Sequence, residues 1–275
     1  MKTFIKVEAN LQLKDLTTQH LALICNELAT LRLQADLTLA PKMPHFANKP
    51  YPIGRCREIR DEMFNLLQVA LQQSQKPGLS LLRDGISQGH VIKKAWGSLR
   101  DEYFQNALIF GPWYIDVAND TVNANKPRVE MLPLATSQFS AITSFAQFTK
   151  IARSYWQVDI YKNDICPALA PYMPLLCVGK NGVSWLAAAN DDMLSLAVDS
   201  QFEASIAILN TLPSPPEHIK ARWANVLASS NNNPFLANHG NPVNYCRQYQ
   251  QSLHHPDIAQ RDGAVIAYSS LPKSL

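Results

Sequence analysis

Cys56 is the residue whose surroundings best suit covalent chemistry. It stands two residues beyond Gly54, after a stretch stiffened by Pro41, Pro44, Pro50 and Pro52, and it opens a segment with helical spacing. Unpaired backbone N–H groups and the positive end of the peptide dipoles at a helix start favour an anion. Arg55, Arg57 and Arg60 add positive charge. Both effects are expected to lower the thiol pKa and raise the thiolate fraction, the form that attacks a carbonyl. A plainer reading stands beside this one. Cys56, Ile59, Met63, Leu66 and Ala70 fall on one helical face, where a small thiol packs like any apolar side chain.

A cysteine nucleophile needs a base and a group that orients the base. His45, in the proline-rich stretch, and His90, just before a strand-like run, are the histidines nearest in sequence. Asp116, Asn119 and Asp120, beyond the run Trp113–Val117, are placed to orient an imidazole. Arg55, Arg57, Tyr103, Gln105, Asn106, Asn119 and Thr121 are the candidates for holding a substrate near the thiol. The crowding of Asp, Asn and Thr over Asp116–Thr121 also suits a polar ligand or a hard cation. Equally, such side chains commonly satisfy the backbone of their own turn.

The order of these parts, a cysteine opening a helix and then strands carrying the other members, resembles that of papain-like and transglutaminase-like enzymes. The stretch Gly111-Pro112-Trp113-Tyr114-Ile115-Asp116 resembles the Gly-x-Trp-Tyr strand that bears the aspartate in that superfamily. The likeness covers about twenty residues. It implies Cys56 as nucleophile and Asp116 as the orienting carboxylate. The chain departs from the pattern at the preceding strand. Where the family carries a histidine, it has Tyr103-Phe104-Gln105-Asn106. The base therefore falls to His90 or His45, or the triad is absent.

Other chemistries lack their motifs. No Gly-rich phosphate loop and no dinucleotide fingerprint occur, and no G-x-S-x-G elbow or HExxH pair is present. His255-Pro256-Asp257 has the His-x-Asp spacing of a facial triad, but no histidine follows to complete it, and His254-His255 reads as a solvated pair. The five cysteines form no C-x-x-C pair, so neither a zinc ribbon nor a redox dithiol is indicated. No cofactor and no metal are expected.

Bulk properties narrow the partners. With 25 basic and 22 acidic residues the net charge is +3, and no basic run occurs, so no nucleic-acid partner is expected. No apolar window of membrane-spanning length exists and every apolar stretch near Met1 contains a charge, so no membrane association and no signal peptide are expected. Reduced thiols and these absences point to the cytoplasm, although a protein secreted without a signal peptide looks the same. Charged residues make up 17% of the chain, below the roughly 25% usual for soluble domains. Polar coverage falls instead on Asn, Gln, Ser and Thr, a composition suited to recognition or oligomer contacts.

The elements that must position Cys56 follow from periodicity. Thr17 caps a helix over about 17–35, and a second helix is predicted over about 55–75, ending before Pro77-Gly78. Residues 90–134 read as strands, with a hairpin turning at Gly111-Pro112. Helices are predicted near 142–156, 190–212 and 216–229, with a strand at 183–186, a short helix at 245–253 and an edge strand over 1–12. The expected fold is α+β, a mostly antiparallel central sheet flanked by helices. It is read as one domain over 1–275, or as a helix-plus-sheet core over 1–135 with a mainly helical portion over 136–275. The leading functional expectation is a thiol-dependent acyl-transfer enzyme of peptidase, amidase, deamidase or transglutaminase type, acting on a small molecule or a protein. Two others stand beside it: a non-enzymatic module that binds a protein or glycan, and a biosynthetic enzyme that uses the Asp116–Thr121 loop without a covalent intermediate.

Overall fold

The computed structural model describes residues 12–228, 233–252 and 258–275. The edge strand expected over 1–12 and the His254-His255-Pro256-Asp257 group fall outside the described residues, apart from Gln12. The fold is α+β, with antiparallel sheets and flanking helices. The chain forms two compact units, one of residues 1–100 with 104–141 and the other of residues 101–103 with 142–275. No helix among the described residues is long and apolar enough to cross a membrane.

In the first unit, helix α1 (Thr18–Leu39) begins where the capping residue predicted it. The Thr17 hydroxyl accepts from the His20 N–H at 3.4 Å, and His20 Nδ1 accepts from the Thr17 N–H at 3.2 Å, which together satisfy orphan donors of the first turn. Its buried face is Ile24, Leu28, Leu31, Ala35 and Leu39, interrupted by one charged residue, Arg32. The proline-rich stretch makes a small hairpin of β1 (His45–Phe46) and β2 (Lys49–Pro50). Ala47 and Asn48 between them both lie in the left-handed region, the geometry a two-residue hairpin turn requires. Helix α2 (Cys56–Gln73) follows and buries Ile59, Met63 and Leu67.

Pro77 does more than end the preceding segment. It opens α3 (Pro77–Ser87), a helix the sequence pattern had not suggested. Proline suits the first helical turn because its missing N–H has no partner to lose there. Glu27 of α1 accepts from the N–H groups of Gly78 (3.1 Å) and Leu79 (2.8 Å), so a distant side chain provides the cap. The sheet contains β3 (Ile92–Leu99), β4 (Tyr103–Phe110), β5 (Trp113–Asp116), β6 (Glu130–Pro133) and β7 (Phe139–Ser140), in the order β6-β5-β4-β3-β7. The hairpin expected at Gly111-Pro112 pairs Ile109 with Tyr114, and β6 places Glu130 opposite Asp116. Leu108, Phe110, Ile115, Val117 and Met131 from the sheet region join the buried faces of α1, α2 and α3 in one core.

The second unit has its own sheet. Strands β8 (Val158–Lys162), β9 (Leu175–Gly179) and β10 (Ser184–Ala187) form an antiparallel sheet in the order β10-β9-β8. Five helices are described beside α4 (Phe145–Tyr155): α5 (Asp191–Asp199), α6 (Glu203–Thr211), α7 (Glu217–Leu227), α8 (Pro242–Ser252) and α9 (Ile258–Ser270). The single helix predicted over 190–212 is broken. Gln201 and Phe202 take left-handed backbone angles, and the break seats the Phe202 ring in the core, edge-on to Tyr172 at 5.1 Å. Trp223 of α7 donates its indole N–H to the Ser184 hydroxyl at 2.9 Å, a buried tie between helix and sheet.

Candidate functional site

Cys56 is delivered to the start of α2 by Gly54. The glycine has φ +75 and gives its N–H to the Thr121 carbonyl at 2.9 Å. A Cβ at Gly54 would run into the Phe46 ring, so the residue needs both the left-handed angle and the missing side chain. The loop before Cys56 is thereby tied to the segment beyond β5.

The thiol meets an amide. Asn106, on β4, donates its side-chain N–H to Cys56 Sγ at 3.3 Å. Its own backbone N–H goes to Gln105 Oε1 at 3.0 Å, and Gln105 Nε2 donates to Asp116 Oδ2 at 2.7 Å. Asp116 also accepts from the Tyr114 hydroxyl (3.0 Å) and from the Ala118 N–H (2.9 Å). Gln105, Asn106, Tyr114 and Asp116 are all buried, and Cys56 is partly so. The structure therefore joins Cys56, Asn106, Gln105 and Asp116 in one hydrogen-bonded network, with no histidine among these four. Asn106 is the β4 residue that faces the thiol.

The electrostatic expectation for Cys56 is corrected. Its pKa lies above the ordinary thiol value, not below it. Burial is the main cause. The Asn106 donor pulls the other way, and the charge of Asp116 adds to the rise. The arginines do not offset this because they are engaged elsewhere. Arg55 pairs with Glu58 at 3.3 Å, donates to the His45 carbonyl at 2.5 Å and lies over the Phe46 ring. Arg60 pairs with Asp61 at 2.9 Å and donates to the Ala95 carbonyl, while Arg57 is exposed.

Neither candidate base reaches the sulfur. His45 is exposed on the small hairpin, and it is its carbonyl that serves Arg55. His90 packs edge-on to Phe110, with ring centroids 6.2 Å apart, beside Gly111. Phe110 is four residues along β4 from Asn106, roughly 13 Å at the usual strand rise. Among the described residues no histidine side chain hydrogen-bonds Cys56 or Asp116. Tyr103 belongs to the second unit, where it packs on Tyr155 at 5.8 Å.

The Asp116–Thr121 side chains serve the protein itself. Asp116 caps Ala118, Asn119 donates to the Pro127 carbonyl at 3.1 Å, and the Thr121 hydroxyl donates to the Ala118 carbonyl at 2.7 Å. Asp120, read from sequence as an orienter, instead accepts two hydrogen bonds from the Arg32 guanidinium, at 2.9 and 3.3 Å. Arg32 is fully buried. It also donates to Asp36 (2.8 Å) and to the Val117 carbonyl (3.0 Å). Burial disfavours the guanidinium charge, but Asp120 and Asp36 together hold its pKa above the usual value. Tyr51 donates to Asp36 at 2.5 Å, joining the proline-rich stretch to the same cluster. Sequence reading missed Arg32, Asp36 and Tyr51. The available signal was a charged residue set into an apolar helical face, four residues after Leu28. Among the described residues no group of three or more His, Cys, Asp or Glu side chains is placed to hold a metal ion.

Comparison with protein families, with curated proteins and with solved structures finds no match to this chain.

Proposed function

We propose that the first unit is a non-catalytic binding module for a protein or glycan, in which the positional order of a thiol acyl-transfer site carries an amide at its sulfur. One observation carries the reading: the group at the Cys56 sulfur is the Asn106 amide N–H, a donor with no basic nitrogen. Acyl transfer by a thiol needs an acceptor for its proton within hydrogen-bond reach. The low charged fraction, 17%, and the abundance of amide and hydroxyl side chains suit neutral hydrogen-bonded contacts with such a partner.

A second reading keeps Cys56 as the nucleophile of an acyl-transfer enzyme. In its favour, Cys56 opens an 18-residue helix and shares one hydrogen-bonded network with Asp116. The two readings part in one experiment. The full chain and Cys56→Ser are incubated with a p-nitrophenyl ester and with a thioester at neutral pH, and the protein is weighed by mass spectrometry. The binding module gives no acyl adduct at Cys56 beyond that of an unstructured thiol peptide. A stoichiometric adduct on the wild type, absent in Cys56→Ser and released by added amine or water, would establish the enzyme instead.

A further inference from the structure

We propose that Asp116 is a proton-sensing group of the first unit, and that mild acid tightens this unit instead of loosening it. The proposal is independent of whether Cys56 reacts.

Geometry carries it. Asp116 is 0% exposed, on β5 of the five-stranded sheet. Its three hydrogen-bond donors, Gln105, Tyr114 and the Ala118 N–H, are all neutral. Among the described residues, the charged and titratable groups around it offer no counter-ion. Glu130 on β6 stands opposite in the ladder and carries the same sign. Tyr114 on its own strand donates a hydrogen bond, and Cys56 at the start of α2 has a thiol whose pKa burial raises, so neither is a cation. The nearby cation on α1 is Arg32, which binds the adjacent Val117 carbonyl, and its remaining hydrogen bonds go to Asp36 and Asp120. A buried carboxylate without a cation is held less well than its protonated form.

The site can accept the proton if one hydroxyl turns. The Tyr114 hydroxyl can turn from donor to acceptor for a protonated Oδ2, while the Ala118 N–H keeps its bond to Oδ1. Gln105 keeps its orientation, because its Oε1 is held by the Asn106 N–H. Burial raises the Asp116 pKa from 3.8 to about 6, the three donors opposing and Glu130 adding to the rise. The sign follows. Unfolded, Asp116 titrates at the ordinary carboxylate value. The folded form binds the proton more tightly, so the stability it confers is complete below that value and is lost as pH rises through about 6.

The test is amide hydrogen exchange by mass spectrometry on peptides covering residues 103–118, in the full chain and in Asp116→Asn. Rates are corrected for the pH dependence of intrinsic exchange. The ratio of wild-type to Asp116→Asn protection is expected to rise about tenfold between pH 7 and pH 5, from the linkage of one proton. A ratio that stays flat or falls overturns the proposal. Should Asp116→Asn fail to fold, carbon-13 NMR titration of the Asp116 carboxyl in the wild type decides. A midpoint near 6 upholds proton sensing, and a midpoint near the unperturbed carboxylate value overturns it.

Discussion

Asn106 donates its side-chain N–H to the Cys56 sulfur at 3.3 Å, joining residues 50 apart in the chain. The bond favours the thiolate, yet burial and the Asp116 charge outweigh it and leave the thiol pKa raised. Removing the donor with Asn106→Ala is therefore expected to raise it further. Asn106→His, which brings an imidazole to the sulfur, is expected to lower it. The rate of iodoacetamide alkylation at Cys56, followed against pH, reads both. Superimposable profiles for the wild type and Asn106→Ala would show that the amide has no hold on the sulfur.

The Arg32–Asp120 pair is expected to be the most sensitive tie in the first unit. Arg32→Leu leaves the buried Asp120 carboxylate unpaired, with an expected loss of about 3–5 kcal/mol, the range for removing one partner of a buried pair. Asp36 also loses a partner. Pairing Arg32→Leu with Asp120→Leu is expected to recover part of that loss, since no lone charge remains at this position. Urea unfolding of the single and double variants measures it, and a double variant no more stable than Arg32→Leu contradicts the account.

Helix α3 is expected to depend on a missing methyl group. A Cβ at Gly78 would stand 2.7 Å from the Leu23 carbonyl oxygen and 2.8 Å from the Ile24 nitrogen, both backbone atoms of α1 that cannot turn aside. Gly78→Ala is expected to destabilise the unit by about 1–3 kcal/mol through overpacking, despite alanine's better helix propensity. Glu27→Ala, which removes the cap on the same turn, is expected to lose about 1 kcal/mol. Thermal melting of both variants checks this, and a stabilised Gly78→Ala would mean that α1 and α3 pack less closely.

In the second unit, Ser184→Ala removes the acceptor of the buried Trp223 indole N–H. An unsatisfied buried donor costs about 1–3 kcal/mol. The expected loss is therefore larger than for Trp223→Phe at the hydrogen bond alone, and indole fluorescence during urea unfolding follows it.

Thiol accessibility divides the five cysteines. Burial pushes Cys166, Cys177 and Cys246 up to about 12, and all three are fully buried. At neutral pH the native chain is expected to take up iodoacetamide only at Cys25 and Cys56, which are partly exposed, and at all five thiols once unfolded. Native labelling of Cys177 would contradict the buried sheet of the second unit.

Local chemistry was enough to place the α+β class, the Thr17 cap, the start of α2 at Cys56 and the turn at Gly111-Pro112. Capping, proline stiffness and β-branched runs act over a few residues, so they are legible in one dimension. The order along the chain pointed to Cys56, His90 and Asp116; Cys56 and Asp116 share one hydrogen-bonded network, and His90 packs on Phe110 instead. What stands at the sulfur was decided only in three dimensions. The register of β4 puts Asn106 there, the end of α3 holds His90 against Phe110 further along that strand, and no local pattern encodes either placement. The direction of the thiol's pKa was likewise hidden. Helix-end charge and neighbouring arginines can be read from sequence, but burial, the larger effect, is a property of the whole packed unit, and the arginine charges are taken up by Glu58 and Asp61.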